Sequence, residues 1–358
     1  MAEYFPILKT KHAEFSALDQ LDDAVTRLHP IFEVTPRPTR KTKLSPDQWY
    51  REVALDLRRQ AGNRPVLVDP FLMMSRDPEC TVTGFFAHLA ILLTGSSTEY
   101  PVTPVVRLQT SHAELSAASA LTVLTKAGFA IRVTGSEIAE AGKDMGQDLS
   151  VRLDAHVAGL GANRFEIDLL VDLGQVPDGA TPQLYVNSLG LTLPGLAAGW
   201  RRVIIAGTTG PSQNDVAGFA QAETARLEID IWSQLQGWPS TDLNLHFGDY
   251  AGFAAALPTG AGRTKHPSLR YSTETTAYLV RRKAEAGEGF SVYKEVCKHI
   301  VQQAWFAGPG FSWGDDQIVQ TAAGFTPPSG GGATRWRAAS VNHHITLTAW
   351  QIANHPGL

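Results

Sequence analysis

Short apolar runs alternate with stretches of helical spacing along the first 250 residues. The strand-like runs are "YFPILK" (4–9), "IFEV" (31–34), "PVLVDP" (65–70), "VTPVVRL" (102–108), "AIRVTG" (130–135), "FEIDLLVDLG" (165–174), "RRVIIAGT" (201–208) and "LNLHFGDY" (243–250). Between them, "EFSALDQLDDAVTRLH" (14–29) sets Phe15, Leu18, Leu21, Val25 and Leu28 near helical spacing. "SPDQWYREVALDLRRQAG" (45–62) opens with Ser45 as an N-cap and Pro46 at the first helical position, and stops at Gly62. "SHAELSAASALTVLTKAG" (111–128) repeats that grammar with Ser111, Glu114 and Gly128. Residues 143–161 and 182–200 fill two further gaps, and a shorter helical piece surrounds "EIDIWSQLQGW" within 210–240.

Strands joined by helical crossovers predict a parallel α/β fold. A TIM-like (β/α)8 barrel over residues 1–258 accommodates all eight runs without leaving an edge. An open doubly wound sheet is the rival, weakened because no GxGxxG follows the first strand. Beyond residue 258 the pattern changes. "LRYSTETTAYLVRRK" (269–283) reads as two short strands around a polar turn, and "FSVYKEVCKHIVQQAWF" (290–306) as a helix. "GPGFSWGDDQIVQTAAG" (308–324) starts as a Gly-rich loop and becomes helical near Asp315, while 326–339 reads as a loop. Residues 259–358 are therefore expected to form an α+β extension packed on the barrel, since no long linker announces a separate domain.

Composition narrows the function classes. In 358 residues, 43% hydrophobic and 18% charged content permits a sizeable core. A net charge of −4 leaves nucleic-acid binding dependent on a local basic patch. Cys80 and Cys297 form no metal spacing and read as reduced thiols of a cytoplasmic protein. The longest apolar stretch, "GFFAHLAILLTG" (84–95), is too short to span a bilayer and reads as a buried helix, and the first residues show no secretory pattern.

Charged groups mark the ends of the strands, where barrel enzymes keep their chemistry. Lys9, Glu33, Asp69 and Arg107 end the first four runs, Arg132 lies in the fifth, and Asp249 ends the last. Asp168 and Asp172 stand four apart in the sixth and share one face of the sheet. Several chemistries are open to this set. Glu33, Asp69, Asp172 and Asp249 suit a hard cation such as magnesium, with Asp69 and Asp172 the leading metal ligands. Lys9, Arg107 and Arg132 suit a phosphate or carboxylate. "AGTTGPS" (206–212), with Gly207 and Thr208, follows the seventh strand, where many barrels hold phosphate. Asp172, Asp249 and Glu33 are the candidates for acid–base work. The bland alternative is a ring of ion pairs that neutralise one another.

Outside the rim, Trp313 in "GFSWGDD" suits stacking on a flat ligand or packing of the extension, and Asp315 suits a helix cap. Arg337 in "RWR" suits a phosphate or nucleic-acid contact. Read as part of a strand, His343 and His344 in "NHH" point to opposite faces, which argues against one shared metal ion. No P-loop, HExxH, GxSxG or Cys/His zinc cluster occurs, which disfavours P-loop kinases, zincins and elbow-type serine hydrolases.

"YFPILKTKHAEFSAL" and "LHPIFEVTP", followed in order by "TPVVRL", "IRVTG", "DLLVDLG", "WRRVIIAG", "HFGDY", "LRYSTETTAYLVRRK", "GFSWGDDQI" and "RWRAASVNHHI", resemble the phage T4 beta protein family over nearly the whole chain. The resemblance implies a setting among phage and mobile-element conflict genes and carries no site residues. The function expected is binding of an anionic, phosphate-bearing ligand at the barrel mouth, with metal-assisted hydrolysis as its catalytic form. The alternative is a non-catalytic scaffold for a protein partner in phage defence or counter-defence.

Overall fold

A computed structural model describes residues 2–23, 25–38, 44–62, 64–94, 100–196, 199–210, 220–238, 244–257, 267–284, 288–325 and 331–354. The strands are β1 Tyr4–Lys9, β2 Ile31–Glu33, β3 Val66–Asp69, β4 Val102–Arg107, β5 Phe129–Thr134, β6 Ile167–Gln175, β7 Arg202–Thr208, β8 Ala220–Ala225, β9 Leu245–Asp249, β10 Ser268–Ser272 and β11 Thr276–Arg281. The helices are α1 His12–Asp19, α2 Pro46–Ala61, α3 Phe71–Met74, α4 Val82–Leu93, α5 His112–Thr125, α6 Gly135–Ala141, α7 Gln147–Leu160, α8 Pro182–Leu196, α9 Leu227–Gln236, α10 Tyr293–Val301, α11 Trp313–Ala323 and α12 Ala333–Asn354.

Strands β1 to β7 and β9 close a parallel barrel, with β9 pairing β1. The fold is therefore the expected α/β barrel. All eight strand-like runs of the sequence supply its staves. Alternation sorts each strand into two faces. Phe5, Ile7, Ile31, Leu67, Val105, Ala130, Leu170, Ile204 and Ala206 fill the barrel interior. Their neighbours, such as Leu8, Phe32, Val68, Val106, Ile131 and Phe247, face the helical layer. Register then lines up the next inward positions, with Lys9 opposite Glu33 and Glu33 opposite Asp69.

Three helices begin at reciprocal caps. The Ser45 hydroxyl accepts from the Gln48 N–H at 3.3 Å while the Gln48 side chain accepts from the Ser45 N–H at 2.9 Å. Ser111 with Glu114, and Thr134 with Glu137, close the same reciprocal box. Both cysteines are free and buried. No helix of the described residues is long and apolar enough to cross a membrane.

Three features depart from expectation. The helix expected over 14–29 stops early: α1 ends at Asp19, and Leu28 instead forms a parallel bridge to Tyr4 of β1. Strand β8, which the sequence reading passed over, leaves the barrel order and joins β11 in a small antiparallel sheet, β10-β11-β8. Its residues, "AQAETA", are half exposed and mostly small, so they show no apolar run. The segment carrying "NHH" is a helix and not a strand: α12 runs unbroken from Ala333, so residues 333–339 are helical too; residues 326–330 lie outside the described residues. Every residue from Ala338 to Ile345 is buried, because α12 is packed against α1, α11 and β10 at once. A helix covered on all sides has no polar face, which removes the periodicity that would have announced it. Gly314 permits the crossing with α11. A Cβ there would stand 2.2 Å from the Ala339 carbonyl oxygen.

Candidate functional site

Six charged side chains meet at the carboxyl ends of the barrel strands. The Lys9 ammonium donates to Glu33 and to the Ala255 carbonyl, the latter at 2.9 Å. Arg132 is the hub. Its Nη1 donates to Glu33 at 2.8 Å and to Asp69 at 2.5 Å, and its Nη2 donates to Asp172 at 2.6 Å and to the Tyr250 hydroxyl at 2.8 Å. Tyr250 donates in turn to Asp172 at 2.8 Å. Arg107 reaches Asp69 at 2.7 Å. Backbone N–H groups complete the acids, Phe71 donating to Asp69 and Gly174 to Asp172.

Three cations and three carboxylates thus cancel in formal charge. Burial alone would raise the Asp69 carboxyl, but Arg107 and Arg132 outweigh it and hold it below its ordinary value. Burial opposes the charge on Arg132, yet the carboxylates of Asp172, Glu33 and Asp69 raise it well above the usual arginine value. Burial raises the Tyr250 phenol well above 10, so it stays protonated and able to donate. Five of the six charged side chains are nearly closed off from solvent; Arg107, 25% exposed, is the exception.

Above this floor lies a cavity of about 810 Å³. Phe71 and Leu72 of α3, Ile138 and Ala139 of α6, and Leu184, Tyr185 and Leu189 of α8 give it apolar walls. Glu33, Arg107, Arg132, Asp172 and Tyr250 reach it from below. The Arg107 guanidinium lies 5.1 Å from the centre of the Phe71 ring. Its Nε is buried with no hydrogen-bond partner.

The structure brings Lys9, Glu33, Asp69, Arg107, Arg132 and Asp172 together, and leaves the remaining expected residues elsewhere. Asp249 has the outward parity of Phe247, whereas Tyr250, which the sequence reading missed, packs with the interior set. The alternation in "HFGDY" carries that signal. Asp168 shares its strand face with Asp172 but sits at the other end of the barrel, held by Arg201 and Arg202 at 2.8 and 2.9 Å. Thr208 is buried and its hydroxyl accepts from the Gly210 N–H; neither Thr208 nor Gly207 lines the mouth cavity. Residues 211 and 212 of the expected phosphate loop lie outside the described residues. Trp313 opens α11 and packs between the two large apolar clusters. Arg337 pairs with Glu14 at 2.7 Å and covers the Phe253 ring at 4.0 Å. Arg132 stands between Asp69 and Asp172, the expected metal ligands. Among the described residues, no three His, Cys, Asp or Glu side chains group as a metal site.

A second constellation was invisible in the sequence. The Ser272 hydroxyl lies 2.7 Å from His344 Nδ1, and His344 Nε2 lies 2.6 Å from Asp249. The order Ser–His–Asp is that of a nucleophilic triad. Here Ser272 and His344 are 5% and 2% exposed, which shuts the hydroxyl away from solvent. The adjacent His343 turns to Asp315 at 2.8 Å, and Asp315 also accepts from Ser312 and Tyr271. The two histidines therefore fasten α12 to the barrel and to α11. Burial would raise the Asp249 carboxyl, but His344 and then Arg226 hold it below its ordinary value.

A search of curated proteins returned no match. Among solved structures, the chain is similar to triosephosphate isomerase from Bartonella henselae, at 12% identity over 70% of this chain and 94% of that one, with a TM-score of 0.32. A family profile described as Beta protein matches residues 4–349. With its ordered motifs and that match over nearly its whole length, the chain belongs to the Beta protein family.

Proposed function

We propose that the mouth cavity binds a small organic ligand carrying one carboxylate or one singly charged phosphate ester. The observation that carries this reading is Arg107. It is the solvent-facing member of a neutralised charge network, and its Nε lacks a partner beside an apolar-walled cavity. An acidic group seats against Arg107 while the ligand body lies on Phe71, Ile138, Tyr185 and Leu189. The floor has no surplus positive charge, so a monoanion matches it better than a dianion.

Acid–base work in the cavity falls to Asp172 with Tyr250; Asp249 faces the other way and takes no part. A divalent cation between Asp69 and Asp172 would have to displace Arg132, so the reading is of binding without one. The phage or mobile-element setting belongs to the proposal through the family alone. A thermal-shift screen of aromatic carboxylates and phosphate diesters tests it. Stabilising compounds should lose their effect in Arg107→Gln and in Ile138→Trp, both folded. Equal stabilisation of the parent and Arg107→Gln, or no stabilisation by any compound, overturns the reading.

A further inference from the structure

A second cavity, about 710 Å³, opens beside the first. The end of α3 and the segment 255–257 divide them: Ser75, Ala255 and Ala256 line the mouth cavity, Arg76 and Leu257 the neighbour. Arg76 Nη2 donates to the Leu257 carbonyl at 3.3 Å across that partition.

The electrostatics of the two cavities differ. Lys11, Arg37, Arg76 and Arg337 line the second, against Glu52 and Asp56 from α2. Arg37 is taken by Asp77 and Glu79, and Arg337 by Glu14. The Lys11 backbone bonds to Lys9, Glu14 and Phe15, but its side-chain ammonium has no hydrogen-bond or salt-bridge partner among the described residues. Lys11 is the N-cap of α1, where its donor-only ammonium cannot accept the first helix N–H groups. Burial lowers its pKa first, and Arg337, Lys9 and Arg76 push the same way against Glu14. The cation is thus held among like charges.

The backbone adds to this. The N–H groups of His12 and Ala13, at the start of α1, have no acceptor among the described residues. Ala333 and Thr334, at the start of the 22-residue α12, line the same cavity. Helix starts present N–H donors and partial positive charge toward an anion.

We propose that this second cavity is a phosphate site, in which Lys11, Arg76 and the first N–H groups of α1 hold a phosphate group. A tetrahedral group of nearly two negative charges accepts from several directions at once, which a flat carboxylate does not. It relieves the repulsion at Lys11 without requiring Arg337 to leave Glu14. Phe15 and Trp49 on the cavity wall leave room for an ester substituent. This site does not depend on the mouth reading.

Isothermal titration of the full chain with inorganic phosphate and with phenyl phosphate tests the proposal, alongside amide NMR spectra. Saturable binding is expected, with shifts at His12 and Ala13. Tighter binding of phenyl phosphate identifies an ester as the ligand; equal or weaker binding identifies free phosphate. Lys11→Gln should weaken binding about tenfold, the loss of one charge-assisted contact of about 1.4 kcal/mol, and Lys298→Gln, on the exposed face of α10 away from both cavities, should leave it unchanged. Absence of saturable binding of either compound, or parent affinity in a folded Lys11→Gln, overturns it.

Discussion

His344 Nε2 and the Asp249 carboxylate lie 2.6 Å apart, joining the middle of α12 to the last strand of the barrel. Asp249 is further held by the Tyr4 hydroxyl at 2.6 Å and the Ala251 N–H at 2.9 Å. It therefore ties three elements distant in sequence. Removing one partner of such a buried pair leaves the other desolvated and uncompensated. Asp249→Ala is expected to cost about 3–5 kcal/mol of stability, measured as a lower urea midpoint. His344→Ala should be similar, and the double variant should cost less than the sum of the two singles.

Arg132 offers a sharper test because it neutralises three carboxylates at once. Arg132→Met should destabilise by about 3–5 kcal/mol near neutral pH. The sign of the pH dependence follows. In the parent, Asp69 is held below its unfolded value, so its contribution is present above that value and lost as pH falls through the folded one. Without Arg132 the buried acids favour their protonated forms. The variant's deficit should therefore shrink on acidification, as denaturant midpoints at pH 5 and pH 8 would show.

His246 gives a pH effect at the opposite end of the barrel. Burial lowers its pKa to about 4, with Glu3 opposing. Its Nδ1 accepts the Glu3 N–H at 3.0 Å, which requires that nitrogen to be unprotonated. The folded pKa lies below the unfolded one, so the unfolded chain binds the extra proton first. Stability contributed by His246 is complete above about 6.5 and declines as pH falls toward 4. His246→Gln, whose side-chain oxygen can accept the same N–H, should flatten that slope in midpoints measured from pH 7 to pH 4.5.

Gly314→Ala tests the close crossing of α11 and α12. The added methyl would meet the Ala339 carbonyl at 2.2 Å, a backbone atom that cannot turn aside. A loss of about 1–3 kcal/mol is expected, with the His343–Asp315 bond disturbed because His343 Cβ lies 3.3 Å from the same point. Thermal melting reads the loss, and the His343 ring resonances read the disturbance.

The barrel was legible because its strands are buried on both faces and read as apolar runs, bounded by caps such as Ser45 and Ser111 that act within a few residues. The charged rim was legible for the same local reason: Lys9, Glu33, Asp69, Arg107 and Arg132 occupy strand ends, and parallel strands bring their ends to one side. Which of those charges enter the barrel is a matter of parity, and there the one-residue step from Asp249 to Tyr250 decides. The pairing of His344 with Asp249 and Ser272, the covering of residues 338–345 of α12 on every side, and the departure of β8 from the barrel order belong to the tertiary structure alone. The physical reason is range. Caps, strand runs and alternation are set by neighbours a few residues away, whereas the two bonds of His344 reach residues 72 and 95 positions away, whose meeting with it depends on the packing of the whole chain.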